Sequence, residues 1–269
     1  MEQLKETTSF LKGRFVGRPE IGIVLGTGLN KLLNQVDIEN TIPYADIPHF
    51  SAATVEFHKG NLVFGRLAGK SVVIMQGRFH YYEGHTMQQI VYPIRVMKML
   101  GIDKLLLSNA AGAIDLTLEK GDLVLIDDHI NLQSGNPLIG KNFDDLGDRF
   151  PDMSSPYDKT LNAALINTAA KIDINLRKGV YASVNGPNLE TRAEYRYLKI
   201  IGADLVGMST VPEVIAANHM KLPCAAISVV TDVCDPDNLQ PINIQEIIEV
   251  AGKAEEKLSK LITKMFELL

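Results

Sequence analysis

Short apolar runs of β-forming residues alternate along this chain with segments whose apolar residues recur at helical spacing. The runs are typical of buried strands, and the spaced segments are typical of amphipathic helices. Strands are predicted over residues 21–25, 62–67, 71–75, 104–109, 123–126, 177–184, 205–208 and 224–230. Helices are predicted over 1–15, 86–100, 192–201 and 210–219, after an N-cap at Asp158, and in a long last segment with one apolar stripe from Ile247 to Leu269. This alternation favours an α/β fold, and we interpret residues 1–269 as one domain because no linker or internal repeat interrupts them.

Proline, glycine and capping residues mark the boundaries of these elements. Pro93 lies inside the predicted helix 86–100 and is expected to kink or delay it. Thr191 and Glu194 have the spacing of a capping box at the start of helix 192–201. Residues 33–60 are expected to form loops and short strands. Residues 131–156 lack periodicity and contain the apolar Phe143 and Phe150, which predicts a functional loop.

The stretch 71–84, with the sequence SVVIMQGRFHYYEG, changes abruptly from apolar to chemically reactive residues. Its apolar run is followed by Arg78, His80 and Tyr82. In open α/β sheets, ligands bind beyond the carboxyl ends of strands. A buried strand that ends in these residues therefore predicts a binding site, and the alternative is a surface turn after a core strand.

Residues 26–28, Gly-Thr-Gly, follow the first predicted strand. Glycines at such a position let backbone N–H groups approach an anion. A dinucleotide-binding fingerprint would require glycine at the position of Lys31, so a Rossmann cofactor site is disfavoured. A small anion such as phosphate fits, with Thr27 as an extra donor, and an ordinary strand-to-helix turn is the alternative.

The strand ends together offer two sets of polar groups. One set combines a guanidinium fork, an imidazole, hydroxyls and a backbone amide, as phosphate sites do. Its members are Thr27, Arg78, His80, Ala110 and Ser209. The other set is acidic and consists of Glu190 and Asp232, which could accept hydrogen bonds from a heterocycle or, when protonated, donate to it.

Composition narrows the function further. Apolar residues make up 46% of the chain, enough for a sizeable core, and the net charge of −5 with no long basic run argues against a nucleic-acid partner. No apolar run reaches the roughly 18 residues of a membrane span, and no apolar signal core begins the chain. Cys224 and Cys234 are expected to be reduced thiols of a cytoplasmic protein. The scattered histidines predict no metal site, and no nucleophile-elbow motif is present.

Seven stretches, spread in order over nearly the whole chain, resemble the trimeric purine nucleoside phosphorylases. They are GTGL (26–29), QGRFHYYEGH (76–85), SNAAG (108–112), GDLVLIDDHINL (121–132), GDRFPDMS (147–154), NGPNLETRAE (185–194) and VGMSTVPEV (206–214). The resemblance implies a three-layer α/β/α domain with a central mixed β-sheet, assembled as a homotrimer. It also implies phosphorolysis of a purine nucleoside to a free base and ribose 1-phosphate, a purine salvage reaction that needs phosphate as co-substrate and no cofactor.

The same resemblance implies a role for each matching residue. The phosphate-binding residues would be Thr27, His58, Arg78, His80, Ala110 and Ser209. The nucleoside-binding residues would be Tyr82, Tyr181, Leu189, Glu190, Val206, Met208, Asp232 and Ile244, with Phe150 reaching the sugar pocket of a neighbouring subunit. Among all of these, His80, Glu190 and Asp232 would be catalytic.

Asp232 departs from the pattern of the phosphorylases that are specific for 6-oxopurines, which carry asparagine at the matching place. An aspartate donates to purine N7 only when it is protonated, whereas an ionised aspartate accepts from a 6-amino group. The related methylthioadenosine phosphorylases resemble this chain in having Thr-Asp here. Two further departures are Leu189, in place of an aromatic residue, and either Ile244 or Gln245, in place of a histidine for the 5′-hydroxyl.

The sequence therefore leaves three related activities open: a purine nucleoside phosphorylase, one with relaxed 6-oxo/6-amino specificity, and a methylthioadenosine phosphorylase. A nucleosidase that uses water is a mechanistic rival, but it would not need Arg78 and Ser209. A non-catalytic nucleotide-binding module is a rival from another class. It would not need phosphate donors and purine-edge acids at the same set of strand ends.

Overall fold

The structure is a computed structural model that describes residues 1–26, 30–51, 59–241 and 243–268. Within these residues, nine strands form one mixed sheet in the order β2-β3-β4-β1-β5-β8-β7-β6-β9. The strands are β1 (Ile21–Leu25), β2 (Val36–Pro43), β3 (Asn61–Leu67), β4 (Lys70–Gln76), β5 (Lys104–Ala113), β6 (Leu123–Asn131), β7 (Leu176–Ser183), β8 (Leu205–Gly207) and β9 (Cys224–Val233).

The helices lie on both faces of this sheet. In chain order they are α1 (Glu2–Lys12), α2 (Met87–Leu100), α3 (Lys159–Lys171), α4 (Arg192–Ile200), α5 (Val211–His219) and α6 (Ile244–Leu268). Short 3-10 helices occupy Lys31–Gln35, Tyr44–Asp46 and Tyr81–Glu83. In the described part of the chain, no helix combines the length and the apolar character needed to cross a bilayer.

The core is divided by the sheet into two main layers. Along β4, Val73 packs with α1, α2 and α5 on one face, and Val72 and Ile74 pack with α3 and α6 on the other. Apolar side chains on both faces explain why the buried strands are continuous apolar runs. The predicted α/β fold with a mixed sheet between helices is confirmed.

The second half of the sheet curls back on itself. β5 pairs in parallel with both β1 and β9 and antiparallel with β8, while β6 pairs antiparallel with β9. Strands β5, β8, β7, β6 and β9 therefore close into a ring. This closure brings the polar ends of β5, β8 and β9 together, and β4, which lies next to β1 in the same sheet, adds its own polar end there.

Most predicted elements occur with shifted ends. β5, β6 and β9 extend three to five residues beyond their apolar runs, because polar and small residues there still pair with neighbouring strands. The predicted caps at Asp158 and at Thr191–Glu194 are confirmed. The expectation that Pro93 would delay the helix is wrong. Helix α2 begins at Met87 and continues through the buried Pro93 to Leu100. Packing on the sheet outweighs the one hydrogen bond that proline cannot make.

Candidate active site

A cavity of about 440 Å³ lies where the polar strand ends meet. Its parts differ in chemical character: hydrogen-bond donors line one end, acidic side chains line the other end, and apolar side chains line one wall. We call these the anion end, the base end and the apolar wall. Residues that line it include Arg78, His80, Tyr82, Asn109, Ala110, Gly112, Leu189, Glu190, Tyr195, Val206, Met208, Ser209, Asp232, Cys234, Ile244, Ile247 and Ile248.

Arg78 dominates the anion end. It lies two positions after the end of β4, and its side chain is only 1% exposed although it lines the cavity. Its Nη1 donates to Ser209 Oγ at 3.1 Å and to Thr210 Oγ1 at 3.3 Å. A buried guanidinium held beside hydroxyl groups can bind an anion with charge-assisted hydrogen bonds, since its planar fork matches phosphate geometry.

His80 adds an imidazole to the anion end. Its Nδ1 lies 2.8 Å from Glu83 Oε1, and its ring stacks on Tyr82 with 4.6 Å between ring centroids. Burial lowers the pKa of His80, although the hydrogen bond to Glu83 works in the opposite direction. His80 is therefore neutral near pH 7, and because Nδ1–H donates to Glu83, Nε2 is the acceptor atom of the ring. That arrangement suits the protonated oxygen of a monohydrogen phosphate.

Glu190 and Asp232 define the base end. Asp232 Oδ1 accepts from Thr231 Oγ1 at 2.8 Å, and its Oδ2 accepts from Cys234 Sγ at 3.3 Å. Burial raises the pKa of the Glu190 carboxyl, and Asp232 contributes to this shift by repulsion. Two half-buried acids in one cavity can read the hydrogen-bonding edge of a heterocycle, with each carboxyl accepting or donating according to its protonation state.

Gly112 forms the floor of the base end. It pairs with Asp232 on one side and with Val206 on the other. A Cβ at this position would lie 2.6 Å from Cys234 Sγ and 3.1 Å from Asp232 Oδ2. Glycine is therefore required here for close approach, because the side chains of the acid and the thiol occupy the space above the backbone.

The apolar wall comes largely from the first turns of α6. Ile244, Ile247 and Ile248 line the cavity from that helix, and Leu189 lines it from the loop before α4. Of the two candidates for the 5′ position, Ile244 is among the described residues that line the cavity and Gln245 is not. This corner of the cavity is consequently hydrocarbon.

Four predicted site residues do not lie among the described residues that line the cavity. Thr27 and His58 fall outside the described residues. Tyr181 was predicted to contact the nucleoside, but it is fully buried beneath Ser209, whose N–H donates to the Tyr181 hydroxyl at 3.3 Å. This places Tyr181 in a supporting position, not on the cavity surface. Phe150 is 87% exposed and is not among the described residues that line the cavity.

Sequence reasoning missed several residues that shape the cavity. One of them is Glu213, which pairs with Arg78 from below. Asn109, which the sequence places at a converging strand end, donates to Thr210 Oγ1 at 2.8 Å. Thr210 and Glu213 have the Thr-x-x-Glu spacing of a capping box, so this helix start could have been found by its pattern. Tyr195 and Cys234 carry no comparable signal, since their places at the base end depend on the ring closure of the sheet.

The chain is similar to known proteins over nearly its whole length. A family model described as the phosphorylase superfamily matches residues 20–267. Purine nucleoside phosphorylase 1 of Bacillus subtilis is 44% identical over 261 residues, which cover 97% of this chain and 96% of that protein.

Two crystal structures from Schistosoma mansoni resemble the chain over its whole length. One is isoform 2 of purine nucleoside phosphorylase in complex with cytosine and ribose-1-phosphate, with a TM-score of 0.95, 40% identity and coverage of 100% of this chain and 96% of that one. The other is a purine nucleoside phosphorylase in complex with adenosine, with a TM-score of 0.95, 39% identity and coverage of 100% and 98%. This chain belongs to the purine nucleoside phosphorylase family of the phosphorylase superfamily.

Proposed function

We propose that this protein is an enzyme that cleaves purine nucleosides with inorganic phosphate, releasing the free base and pentose 1-phosphate. The observation that carries the proposal is the single cavity that has Arg78 and Ser209 at one end and Glu190 and Asp232 at the other. A nucleoside has a sugar between its base and the attacking anion, so its phosphorolysis requires both ends at once. Family membership supports the same reaction.

The reaction proceeds by displacement at the anomeric carbon. A phosphate oxygen forms a bond to C1′ as the bond from C1′ to purine N9 breaks. The electron pair of the broken bond leaves with the base, which then takes up a proton. Positive charge builds on the sugar in an oxocarbenium-like transition state. Arg78, Ser209, the Ala110 N–H and neutral His80 would hold the phosphate below the sugar, and phosphate would supply both nucleophile and counter-charge. Thr27 and His58 are proposed to join this set.

The base end would stabilise the leaving purine. Glu190 would bind the N1 edge, and Asp232 would face N7 and the 6-substituent. Tyr82, Val206 and Met208 would contact the sugar and base. Interactions that strengthen as charge develops on the purine accelerate the step, because they stabilise the transition state more than the bound substrate.

The activity assay that tests this proposal is a substrate panel. Inosine, guanosine, adenosine and methylthioadenosine would each be incubated with and without phosphate, and base and sugar phosphate would be quantified. Phosphate-dependent release of base from inosine or guanosine supports the proposal. Release without phosphate would instead identify a nucleosidase, and absence of any release would contradict an enzymatic role.

A methylthioadenosine phosphorylase is the second candidate, favoured by the hydrocarbon corner at Ile244, Ile247 and Ile248. A 5′-methylthio group would fit such a corner better than a 5′-hydroxyl, because a hydroxyl loses hydrogen bonds to water there. The panel separates the two. Brisk cleavage of methylthioadenosine with none of inosine or guanosine would move the assignment to this candidate.

The preference between 6-amino and 6-oxo purines is expected to depend on pH through Glu190. Protonated Glu190 can donate to adenine N1, whereas ionised Glu190 accepts from the N1–H of hypoxanthine. Because burial raises the pKa of this carboxyl, the change occurs above the usual range for glutamate. The ratio of kcat/KM for adenosine to that for inosine should fall by up to about tenfold per pH unit as pH rises through this pKa.

The ratio would be measured from about pH 5 to about pH 8. Because both substrates react with the same phosphate, the effect of pH on phosphate cancels in the ratio. Glu190→Gln is the matched control, since its amide both donates and accepts but does not titrate. A ratio that stays flat in the unaltered enzyme, or that still varies in Glu190→Gln, would contradict this role.

We also propose a homotrimer in which Phe150 completes the sugar pocket of the neighbouring subunit. A phenylalanine that is 87% exposed in one chain supports this, since such a side chain gains stability by being covered. Phe150→Ala should raise the KM for nucleoside by about 10- to 100-fold, from roughly 1.5–3 kcal/mol of lost burial.

Ile139→Ala is the control for this prediction, because Ile139 is an exposed apolar residue of the same loop segment and carries no assigned role. It should leave the KM for nucleoside within about twofold. Light scattering would report the trimer for both variants. An unchanged KM in Phe150→Ala would remove Phe150 from the pocket.

We expect the reaction to need no cofactor and no metal, and we propose that it takes place in the cytoplasm. The proposed cytoplasmic location is supported by the two buried cysteines, Cys224 and Cys234, which are both free thiols.

A further inference from the structure

Glu213 lies directly beneath the anion end without reaching the cavity. It is in the first turn of α5, its side chain is 2% exposed, and it is not among the described residues that line the cavity. A buried carboxylate is costly to desolvate unless it is paired and hydrogen-bonded. Its partners therefore indicate what it does.

One carboxylate oxygen of Glu213 orients Arg78. Oε1 of Glu213 lies 3.2 Å from Arg78 Nε, on the opposite edge of the guanidinium from Nη1, which donates to Ser209 Oγ. Because a guanidinium is planar and rigid, holding one edge also fixes the direction of the other. Glu213 therefore aims the Arg78 fork at the hydroxyl of Ser209 and at the cavity.

The other oxygen of Glu213 holds the backbone beside Ser209. Oε2 accepts from the Thr210 N–H at 2.8 Å, and Thr210 has φ 71° and ψ −51°, a conformation that a β-branched residue rarely adopts. Strained backbone of this kind persists only where surrounding contacts fix it. The Thr210 hydroxyl is fixed as well, since it lies 3.1 Å from Ser209 Oγ and 2.8 Å from Asn109 Nδ2.

From these contacts we infer that Glu213 is a positioning residue for phosphate. Its two oxygens set the guanidinium of Arg78 and the backbone of Ser209 and Thr210 in one shared geometry, so that two phosphate donors from distant parts of the chain point at one place. Glu213 acts through these residues and does not touch the anion itself. This inference rests on the proposed function, since it takes inorganic phosphate as the ligand of Arg78 and Ser209.

Glu213→Gln tests the inference. The amide keeps the size of the side chain but loses the charge that pairs with Arg78, and one of its two oxygen acceptors becomes a donor. The KM for phosphate should rise about 10- to 100-fold, since small displacements of positioning groups have effects of this size. The Kd of hypoxanthine, measured calorimetrically without phosphate, should stay within about twofold, because the base end is held by other residues.

The chain offers a matched control in Glu194→Gln. Glu194 occupies the same place in the capping box of α4, where its Oε2 accepts from the Thr191 N–H at 2.7 Å, but its described contacts do not include an arginine. Glutamine can still accept in a capping box, so loss of the carboxylate charge there should by itself leave the KM for phosphate unchanged. If Glu213→Gln does not fold, as judged by circular dichroism, Glu213→Asp keeps the charge but shortens the reach, and should also raise the KM for phosphate.

Two results would overturn the inference. One is a KM for phosphate in folded Glu213→Gln or Glu213→Asp that stays within about twofold of the unaltered enzyme. The other is an equal weakening of hypoxanthine and phosphate binding, which a general loss of structure would produce. The unaltered enzyme is assayed first, and if it releases base without consuming phosphate, the proposed function fails instead.

Discussion

Replacing Arg78 by alanine is expected to lower kcat/KM for phosphate about a thousandfold, the largest effect that we anticipate for a single residue. The variant loses the two charge-assisted hydrogen bonds that its fork would make to phosphate, worth roughly 4 kcal/mol together. It also leaves Glu213 buried without its partner, because the ion pair joins side chains that are 1% and 2% exposed. Breaking such a pair costs about 3–5 kcal/mol of stability.

Two companion variants separate loss of phosphate binding from loss of stability. Arg78→Lys keeps the charge near Glu213 but not the fork, so it should be more stable than Arg78→Ala while still binding phosphate weakly. The double variant Arg78→Met with Glu213→Gln removes both buried charges and should recover most of the stability but none of the activity. Steady-state kinetics and urea unfolding measure the two properties. Near-normal kcat/KM for phosphate in any of the three would exclude Arg78 from the phosphate site.

Asp232→Asn is expected to shift the enzyme toward 6-oxopurines, raising the ratio of kcat/KM for inosine to that for adenosine by about 100-fold. An ionised carboxylate accepts from a 6-amino group, and its two oxygens already accept from Thr231 and Cys234. An amide presents a donor to N7 and the 6-oxo group and loses one acceptor. One buried hydrogen bond to a charged group accounts for roughly 1.5–3 kcal/mol of this preference.

Cys234→Ser is the control for Asp232→Asn. A hydroxyl keeps a donor beside Asp232 without changing the charge of the base end, so the substrate ratio should change by no more than a few-fold. Competition between inosine and adenosine in one reaction measures the ratio directly. If the ratio is the same in Asp232→Asn and the unaltered enzyme, Asp232 does not read the 6-substituent.

The sequence predicts those parts of the molecule that depend on local patterns. Apolar runs and helical spacing locate β4 and α6, and short motifs locate the caps at Asp158 and Thr191. Candidate residues at strand ends, such as Arg78 and Asp232, are predicted because parallel strands bring their carboxyl ends to one edge of the sheet.

What the sequence does not predict depends on contacts between distant segments. Glu213 is 135 positions from Arg78, as their numbers show, and no local pattern links them. The ring closure of the sheet places Cys234 against Gly112, and it follows from the pairing of β5 with both β8 and β9. Resemblance alone predicts that Tyr181 binds the nucleoside, whereas the structure buries its side chain beneath Ser209. Such arrangements are decided by tertiary packing, which overrides local preference.

Strand β5 has a consequence for the length of ligand that the cavity accepts. It supplies Asn109 and Ala110 to the anion end and Gly112 to the base end, and it is paired with β9 from Leu105 to Ala113. A strand rises roughly 3.3 Å per residue and cannot stretch, so this backbone fixes the distance between the anion end and the base end. Side-chain substitutions can alter which base or which anion is held, but the separation of the two is set by the peptide chain itself.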